Sequence, residues 1–272
     1  MTRLSRIALL TIAALPVFAV NALAADAHKG IDLYTISQEV ALGRQMSAEV
    51  DKQAHLISDP IVAEYINRLG QNLARHANAD FPVTVKMIQA DEINAFTLPG
   101  GFVYVNSAVM KMADNEAELA SVIAHEIGHA AARHATRQAT RGQLARFATV
   151  PLSILIPGWG GFVAHQTASA ATPVVTLHFS RAFETEADLL GVGYLSEAGY
   201  DPNASIDMFE RIQSMEKKTP GAVSRLFMSH PPTSDRIVKT QIAIKKLKGE
   251  RDDFIVNTSE FEAVRTRLMS GN

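Results

Sequence analysis

The chain has 272 residues, a formal net charge of −2 at pH 7 and no cysteine. A chain of this length buries a sizeable core and suits one large domain or a tightly joined pair. Its charge balance gives no basic surface for nucleic acid. The absence of cysteine excludes disulfides and thiolate sites, so a metal ion would need histidine and carboxylate ligands.

The first 24 residues are typical of a secretory signal peptide. Arg3 and Arg6 precede an apolar run from Ile7 to Val20, and small residues stand at 22–24. The run of about 14 residues is shorter than the roughly 20 that cross a bilayer as a helix. We therefore expect cleavage after residue 24, export to the periplasm and a mature chain at 25–272, in solution or at the periphery of a membrane. An uncleaved membrane anchor is the alternative.

The next segments predict two helices. The first is a polar, mixed segment around 37–55. The second begins at Pro60, because Asp59 can cap it and proline suits the first helical position. Its apolar residues fall on one face, at Val62, Ile66, Leu69 and Leu73.

Two short strands are expected after these helices. The segment FPVTVKMIQA alternates, with Val83, Val85 and Met87 on one face. A Pro-Gly-Gly turn then precedes a second strand at 102–105. We expect this second strand to form the sheet edge.

The rest of the chain is predicted to be mainly helical. Asn115, with Glu118 three residues later, begins a long helix that contains AHEIGHAAARH. Further helices are expected at 181–199, after Asp201-Pro202 and after a second pair of prolines. Between the helix that contains AHEIGHAAARH and the helix at 181–199, the uncharged stretch 148–177 is expected to be a loop over the cleft or a membrane contact. A buried hairpin is the alternative.

The histidines of AHEIGHAAARH differ in what they can do. His125 and His129 are four residues apart and share a helix face, so both imidazoles can bind one zinc ion, while Glu126 can reach a water beside it. Chance is the alternative, since the motif arises in roughly 2% of chains of this composition. His134 lies about 140° round the helix from His129, so it is predicted to be a surface or helix-end histidine.

A third ligand is expected from FETEADLLG. Glu184 and Asp188 are four residues apart and share a helix face, so one could bind the metal and the other could orient a ligand histidine. Ala187 and Gly191 on that side would let another helix approach closely. A solvated acidic face is the alternative, and Glu186, which points elsewhere, is assigned to such a face.

These blocks resemble a known family. Together with NAFTLPGG and SHPPTSDRI, they are similar to the HtpX/BepA/LoiP-like zinc metallopeptidases, gluzincins related to the mitochondrial Oma-type and prenyl-protein proteases. The resemblance covers roughly 37–245. It implies an α+β, mainly helical, zincin-like metalloprotease domain at 25–272, with a small β-sheet beside the active-site helix.

The resemblance also implies roles for individual residues. One Zn²⁺ per chain would be held by His125, His129 and Glu184. Asp188 is the family's partner residue, usually described as a proton donor, although its spacing from Glu184 favours orienting a histidine. Glu126 would be the general base.

Two further residues match positions that the family places at the active site. His230 and Arg236 lie in SHPPTSDRI, and both could stabilise the oxyanion of a tetrahedral intermediate. The alternative is a helix start marked by two prolines, with Arg236 paired to a nearby acid. The predicted catalytic residues are therefore Glu126, Asp188, His230 and Arg236.

The predicted function is zinc-dependent endopeptidase activity in envelope quality control. The substrates would be unfolded or misfolded periplasmic and outer-membrane proteins, recognised as an extra strand beside 102–105. A non-peptidase zinc hydrolase is a second possibility. A third is a metal-bound periplasmic chaperone or assembly factor with suppressed peptidase activity, although the intact Glu126 argues against it.

Overall fold

The computed structural model describes residues 30–149, 179–218, 230–231, 233–248 and 253–270. The predicted signal peptide and almost all of the apolar stretch 148–177 lie outside the described residues. Both therefore stay predictions. The architecture below is that of the unit Asp32–Asn272.

The described part of the chain is mostly helical, as predicted. Its helices, in chain order, are α1 (Ile36–Gln53), α2 (Pro60–Ala74), α3 (Ser107–Met112), α4 (Glu116–Ala131), α5 (His134–Thr149), α6 (Arg181–Glu197), α7 (Ala204–Lys218), α8 (Ser234–Lys248) and α9 (Ser259–Ser270). Helix α9 was not anticipated from the sequence. Within these described residues, no helix combines the length and apolar character needed to span a membrane.

Helix α2 shows why the sequence was informative. The side chain of Asp59 accepts a hydrogen bond of 3.0 Å from the backbone N–H of Ile61, and Pro60 opens the helix. The predicted apolar face is buried in the main core, at Val62, Ile66, Leu69 and Leu73. Burial of this face against the sheet and α4 therefore holds the helix in place.

A three-stranded sheet packs beside α4. Its strands are β1 (Thr84–Ile88), β2 (Ala95–Leu98) and β3 (Phe102–Asn106), in the order β1-β3-β2. Strand β1 is parallel to β3, and β2 is antiparallel to it. The prediction that 102–105 forms the edge is wrong, because β3 is bonded on both sides. The edge nearest α4 is β2, which the sequence analysis missed.

The turn that folds β2 back on β3 depends on glycine. Gly100 and Gly101 have φ angles of 74° and 86°, in the left-handed region that other residues avoid. The predicted Pro-Gly-Gly turn is therefore confirmed, but it closes a hairpin between two strands.

The long helix predicted from Asn115 is interrupted. Its start is as expected, since the Asn115 side chain accepts a hydrogen bond from the N–H of Glu118. Arg133, however, has a φ of 55° and separates α4 from α5. Its guanidinium lies 2.5 Å from Glu39 and 3.2 Å from Asp32, so ion pairs with the N-terminal part of the unit accompany the break.

Helices α4 and α6 cross at very short range. A Cβ atom on Gly128 would lie 2.8 Å from the carbonyl oxygen of Ala187, and one on Gly191 would lie 3.0 Å from the backbone nitrogen of His125. The close approach expected at Ala187 and Gly191 is thus present. It brings the motif helix against the helix that carries Glu184.

Candidate metal centre and active site

Four side chains converge where α4 crosses α6. His125, His129, Glu184 and His230 each offer one ligand atom, and these atoms all lie within 4.8 Å of one another. The first three are the predicted ligands, while His230 lies in the short segment before α8. The crossing of α4 and α6 therefore assembles the set from distant parts of the chain.

The spacing of the donors suits a small tetrahedral ion. Nε2 of His129 is 3.1 Å from Nε2 of His125 and 3.5 Å from Oε1 of Glu184, and Nε2 of His125 is 3.6 Å from Oε2 of Glu184. Ligands about 2.0–2.2 Å from a tetrahedral zinc lie roughly 3.3–3.6 Å apart. The donor types and spacing therefore fit zinc.

The second ring nitrogen of His125 contacts an acid. Its Nδ1 is 3.0 Å from Oδ1 of Asp188, whose two oxygens accept hydrogen bonds of 2.6 and 2.7 Å from Arg236. Burial alone lowers the pKa of His125, but the carboxylates of Asp188 and Glu184 raise it to about 10 in the metal-free chain. Burial likewise opposes ionisation of Asp188, yet Arg236 and His125 hold its pKa below the usual range.

Arg236 is completely enclosed by this network. It is 1% exposed, and besides Asp188 its guanidinium lies 3.0 Å from Oε2 of Glu184. It also donates to the carbonyl oxygen of Pro231. Arg236 was expected either to stabilise an oxyanion or to pair with a nearby acid, and its contacts match the pairing with acids.

Glu126 is held on one side only. The hydroxyl of Thr97, on β2, lies 2.8 Å from both Oε2 and the carbonyl oxygen of Glu126. Oε1 has no hydrogen-bond partner among the described residues, and Nε2 of His230 lies 3.5 Å from it. Thr97 is not among the predicted site residues, although a threonine inside an apolar strand segment is a usable signal.

His230 lies between the two carboxylates. Its Nδ1 is 3.0 and 3.1 Å from the two oxygens of Glu184, while its Nε2 faces Glu126. The side chain is buried. His230 is therefore placed either to join the metal ligands or to contact a group bound beside them.

The interpretation of His134 as a surface histidine is wrong. His134 is the first residue of α5, so it is at a helix end, but it is 0% exposed. Because the helix breaks at Arg133, the 140° angle assumed from a continuous helix does not apply. Its Nδ1 lies 2.9 Å from Nδ1 of His129, its Nε2 lies 3.2 Å from Oε2 of Glu186, and burial lowers its pKa.

The assignment of Glu186 to a solvated acidic face is also wrong. Its carboxylate receives hydrogen bonds of 3.2 and 3.3 Å from Arg137 in addition to the contact with His134. Partial burial raises the pKa of Glu186, but the hydrogen bond with His134 and the charge of Arg137 lower it below its usual value. Glu186 is thus an ionised partner of the buried histidine.

A cavity opens beside His125. The space between α4, α6, α7 and α8 is about 570 Å³ when the open solvent at its mouth is included. Most of its wall is apolar, and the polar lining residues are His125, Asp188, His230 and Arg236 together with Ser121, Ser205 and Thr240. The apolar lining comes from Val122, Val192, Met208, Phe209 and Ile212.

Comparisons with known proteins find similarity to metalloproteases. The profile of Peptidase family M48 matches residues 60–242. The beta-barrel assembly-enhancing protease of Escherichia coli K12 is 30% identical over 234 residues, which are 83% of this chain and 47% of that protein. The metalloprotease LoiP of the same strain is 29% identical over 226 residues, 79% of this chain and 85% of LoiP.

A mitochondrial relative extends the comparison. The mitochondrial metalloendopeptidase OMA1 of Schizosaccharomyces pombe is 31% identical over 189 residues, 69% of this chain and 55% of OMA1. The chain spans about half the length of the beta-barrel assembly-enhancing protease that it matches, at 47%. The resemblance inferred from the motifs is confirmed.

Proposed function

The chain belongs to Peptidase family M48, whose members are metal-dependent peptidases, and we propose that it is a zinc endopeptidase for unfolded or misassembled envelope proteins. The observation that carries the proposal is the convergence of His125, His129 and Glu184 beside the unpartnered oxygen of Glu126. A donor set without such a base would suit storage or structure, whereas this one suits hydrolysis.

His125, His129 and Glu184 would hold one zinc ion, and their spacing fits it. When bound, zinc supplies a Lewis acid that polarises the scissile carbonyl and makes a water acidic enough to attack near neutral pH. Asp188 and Arg236 orient His125 by fixing its Nδ1 proton.

Glu126 provides the acid–base chemistry. Its Oε1 accepts a proton from the attacking water and then delivers that proton to the departing amine. Thr97 holds the other oxygen, so the carboxylate keeps one orientation through both transfers. Nε2 of His230, at 3.5 Å from Oε1, lies where it can donate to the developing oxyanion.

Two features of the described residues favour an extended peptide as substrate. Strand β2 is the sheet edge beside α4, so its outer side offers backbone groups to an added strand. The apolar cavity beside His125 has room for a side chain next to the scissile bond. Backbone recognition of this kind selects unfolded chains more than particular sequences.

Export to the periplasm is part of the proposal. The signal-peptide layout of residues 1–24 supports it, and a relative named beta-barrel assembly-enhancing protease is consistent with substrates of the outer membrane. The intact mass of protein recovered from periplasm checks this, and a mass that includes residues 1–24 would contradict cleavage.

A second candidate is a metal-bound chaperone or assembly factor with suppressed peptidase activity. It is favoured by His230, because four donors around one ion form the closed arrangement of a structural site. The two candidates differ in whether the zinc-loaded chain cleaves.

The test compares three zinc-loaded proteins acting on casein: the wild type, Glu126→Gln and, as a control on an exposed helix face, Glu49→Gln. We expect the wild type and Glu49→Gln to cleave equally and Glu126→Gln to lose about 10²–10⁴-fold in kcat, with zinc retained. A zinc-loaded wild type that leaves casein intact would support the chaperone instead.

A further inference from the structure

We propose that His134 is a positioning residue for the metal centre, which accepts a hydrogen bond from the ligand His129 and donates one to Glu186. The inference rests on the ligand set of the proposed function and adds a residue to it. His134 is buried, lies outside the donor cluster and has no part in the proton transfers of Glu126.

The direction of the hydrogen bonds follows from which nitrogen binds the metal. Nε2 of His129 faces the other donors, so its lone pair is committed there and the proton of the neutral ring must sit on Nδ1. That proton points at Nδ1 of His134, 2.9 Å away, which must then be the acceptor. The proton of His134 therefore sits on Nε2 and is donated to Oε2 of Glu186, 3.2 Å away.

Neighbouring side chains hold His134 in this orientation. Its ring stacks on Phe183 with centroids 4.3 Å apart. Arg137 bonds Glu186 and also the carbonyl oxygen of Ala132, so the acceptor at the far end is fixed to the turn between α4 and α5. The break at Arg133 therefore has a consequence for the site, because it turns His134 inward.

The two ligand histidines of α4 are thus supported in parallel ways. His125 contacts Asp188 directly, and Arg236 holds that acid. His129 contacts its acid indirectly, because His134 lies between it and Glu186. Partners of this kind fix the tautomer and ring plane of a ligand, and their loss typically weakens metal binding about 10–100-fold.

Two amide replacements separate the two nitrogens of His134. In His134→Asn the amide oxygen lies near the position of Nδ1 and can still accept from His129. In His134→Gln the amide lies near the position of Nε2, so it can contact Glu186 but not His129. We expect the zinc Kd of the Gln variant to rise about 10–100-fold, and that of the Asn variant to stay within about threefold of the wild type.

Competition with a chelating dye measures the zinc Kd of each variant without any assay of cleavage. The melting temperature of each metal-free protein separates a loss of metal binding from a loss of stability. His76→Gln, at a partly exposed histidine that pairs with Glu197, is the control and should bind zinc as the wild type does. Equal affinities for the Gln variant and the wild type, or equal losses in both amide variants, would overturn the inference.

Histidine ¹⁵N spectra of the zinc-loaded wild type read the tautomers directly. We expect His129 to be protonated on Nδ1 and His134 on Nε2 only. A proton on Nδ1 of His134 would refute the proposed direction, and a wild type that binds no zinc would remove its basis. A chain that binds zinc and shows these tautomers but leaves casein intact would contradict the peptidase proposal alone.

Discussion

The residues at the centre of the site are almost all buried, and each contacts another charged or polar group. Glu184 is 2% exposed, and its oxygens face three imidazoles and Arg236. Replacing such a residue removes a donor and leaves its buried partners without a counter-charge. Loss of metal is therefore the primary effect that we expect from any single ligand replacement.

Alanine variants of His125, His129 and Glu184 test this expectation. Each should bring bound zinc from about one ion per chain to near zero, because a catalytic zinc keeps only three protein ligands. The metal content of protein after gel filtration, by mass spectrometry, measures the effect. His55→Ala, on an exposed side chain, is the control. A Glu184→Ala protein that keeps its zinc would remove Glu184 from the ligand set.

Replacing Thr97 should lower the rate of cleavage without loss of zinc. Thr97→Val keeps the shape of the side chain but removes the hydrogen bond to Glu126. A bond to a charged group contributes about 1.5–3 kcal/mol, so kcat should fall about 10–100-fold while KM and zinc content stay unchanged. Thr97→Ser, which keeps the hydroxyl, should restore most of the rate. If both variants fail alike, the methyl group and its packing matter instead.

The sequence was informative for residues whose relation depends on helical spacing alone. His125 with His129, and Glu184 with Asp188, are pairs four residues apart on one helix, and the structure brings the two pairs together. His134 could not be placed in this way, because its position depends on a left-handed residue at Arg133. The alanine-rich residues 130–135 around the break contain neither glycine nor proline, so they give no local sign of it.

At the scale of elements, the site depends on the close crossing of α4 and α6. Gly128→Ala would place a Cβ 2.8 Å from the backbone of Ala187, so the helices must separate. Overpacking of this kind costs about 1–3 kcal/mol, and we expect that loss in the free energy of unfolding, measured in urea. Zinc affinity should fall as well, since Glu184 moves with α6.

Gly193→Ala is the matched control for this crossing. Gly193 also lies within α6, but a Cβ added there meets nothing within 4 Å. Alanine should therefore raise the free energy of unfolding by about 0.5–1 kcal/mol, through helix propensity alone. Equal effects of the two replacements would show that propensity, and not the crossing, governs both.

The sheet shows where sequence patterns stop being sufficient. Alternation identified β1, because Val83, Val85 and Met87 fill one buried face. Strand β2 has only four residues before the Pro-Gly-Gly turn. A strand of this length is too short for alternation to be distinctive. The order β1-β3-β2 depends on the parallel pairing of β1 with β3, which are not consecutive strands, so local patterns could not show that β2 is the edge.

At the scale of the whole molecule, the metal centre joins parts of the chain that are far apart. His129 lies on α4, Glu184 on α6 and His230 before α8, and the unfolded chain does not hold these donors together. Zinc should therefore stabilise the native state by mass action, by about 4 kcal/mol when free zinc exceeds its Kd a thousandfold.

Removal of zinc by a chelator should then lower the melting temperature on the order of 10 °C, because each kcal/mol shifts Tm by about 2–4 °C in a chain of this size. Differential scanning calorimetry with and without chelator measures the shift, and added zinc should reverse it. In His129→Ala the same chelator should change nothing, since that variant lacks the site. A melting temperature of the wild type that stays constant while its zinc is lost would contradict the expectation that zinc binds the native state in preference to the unfolded chain.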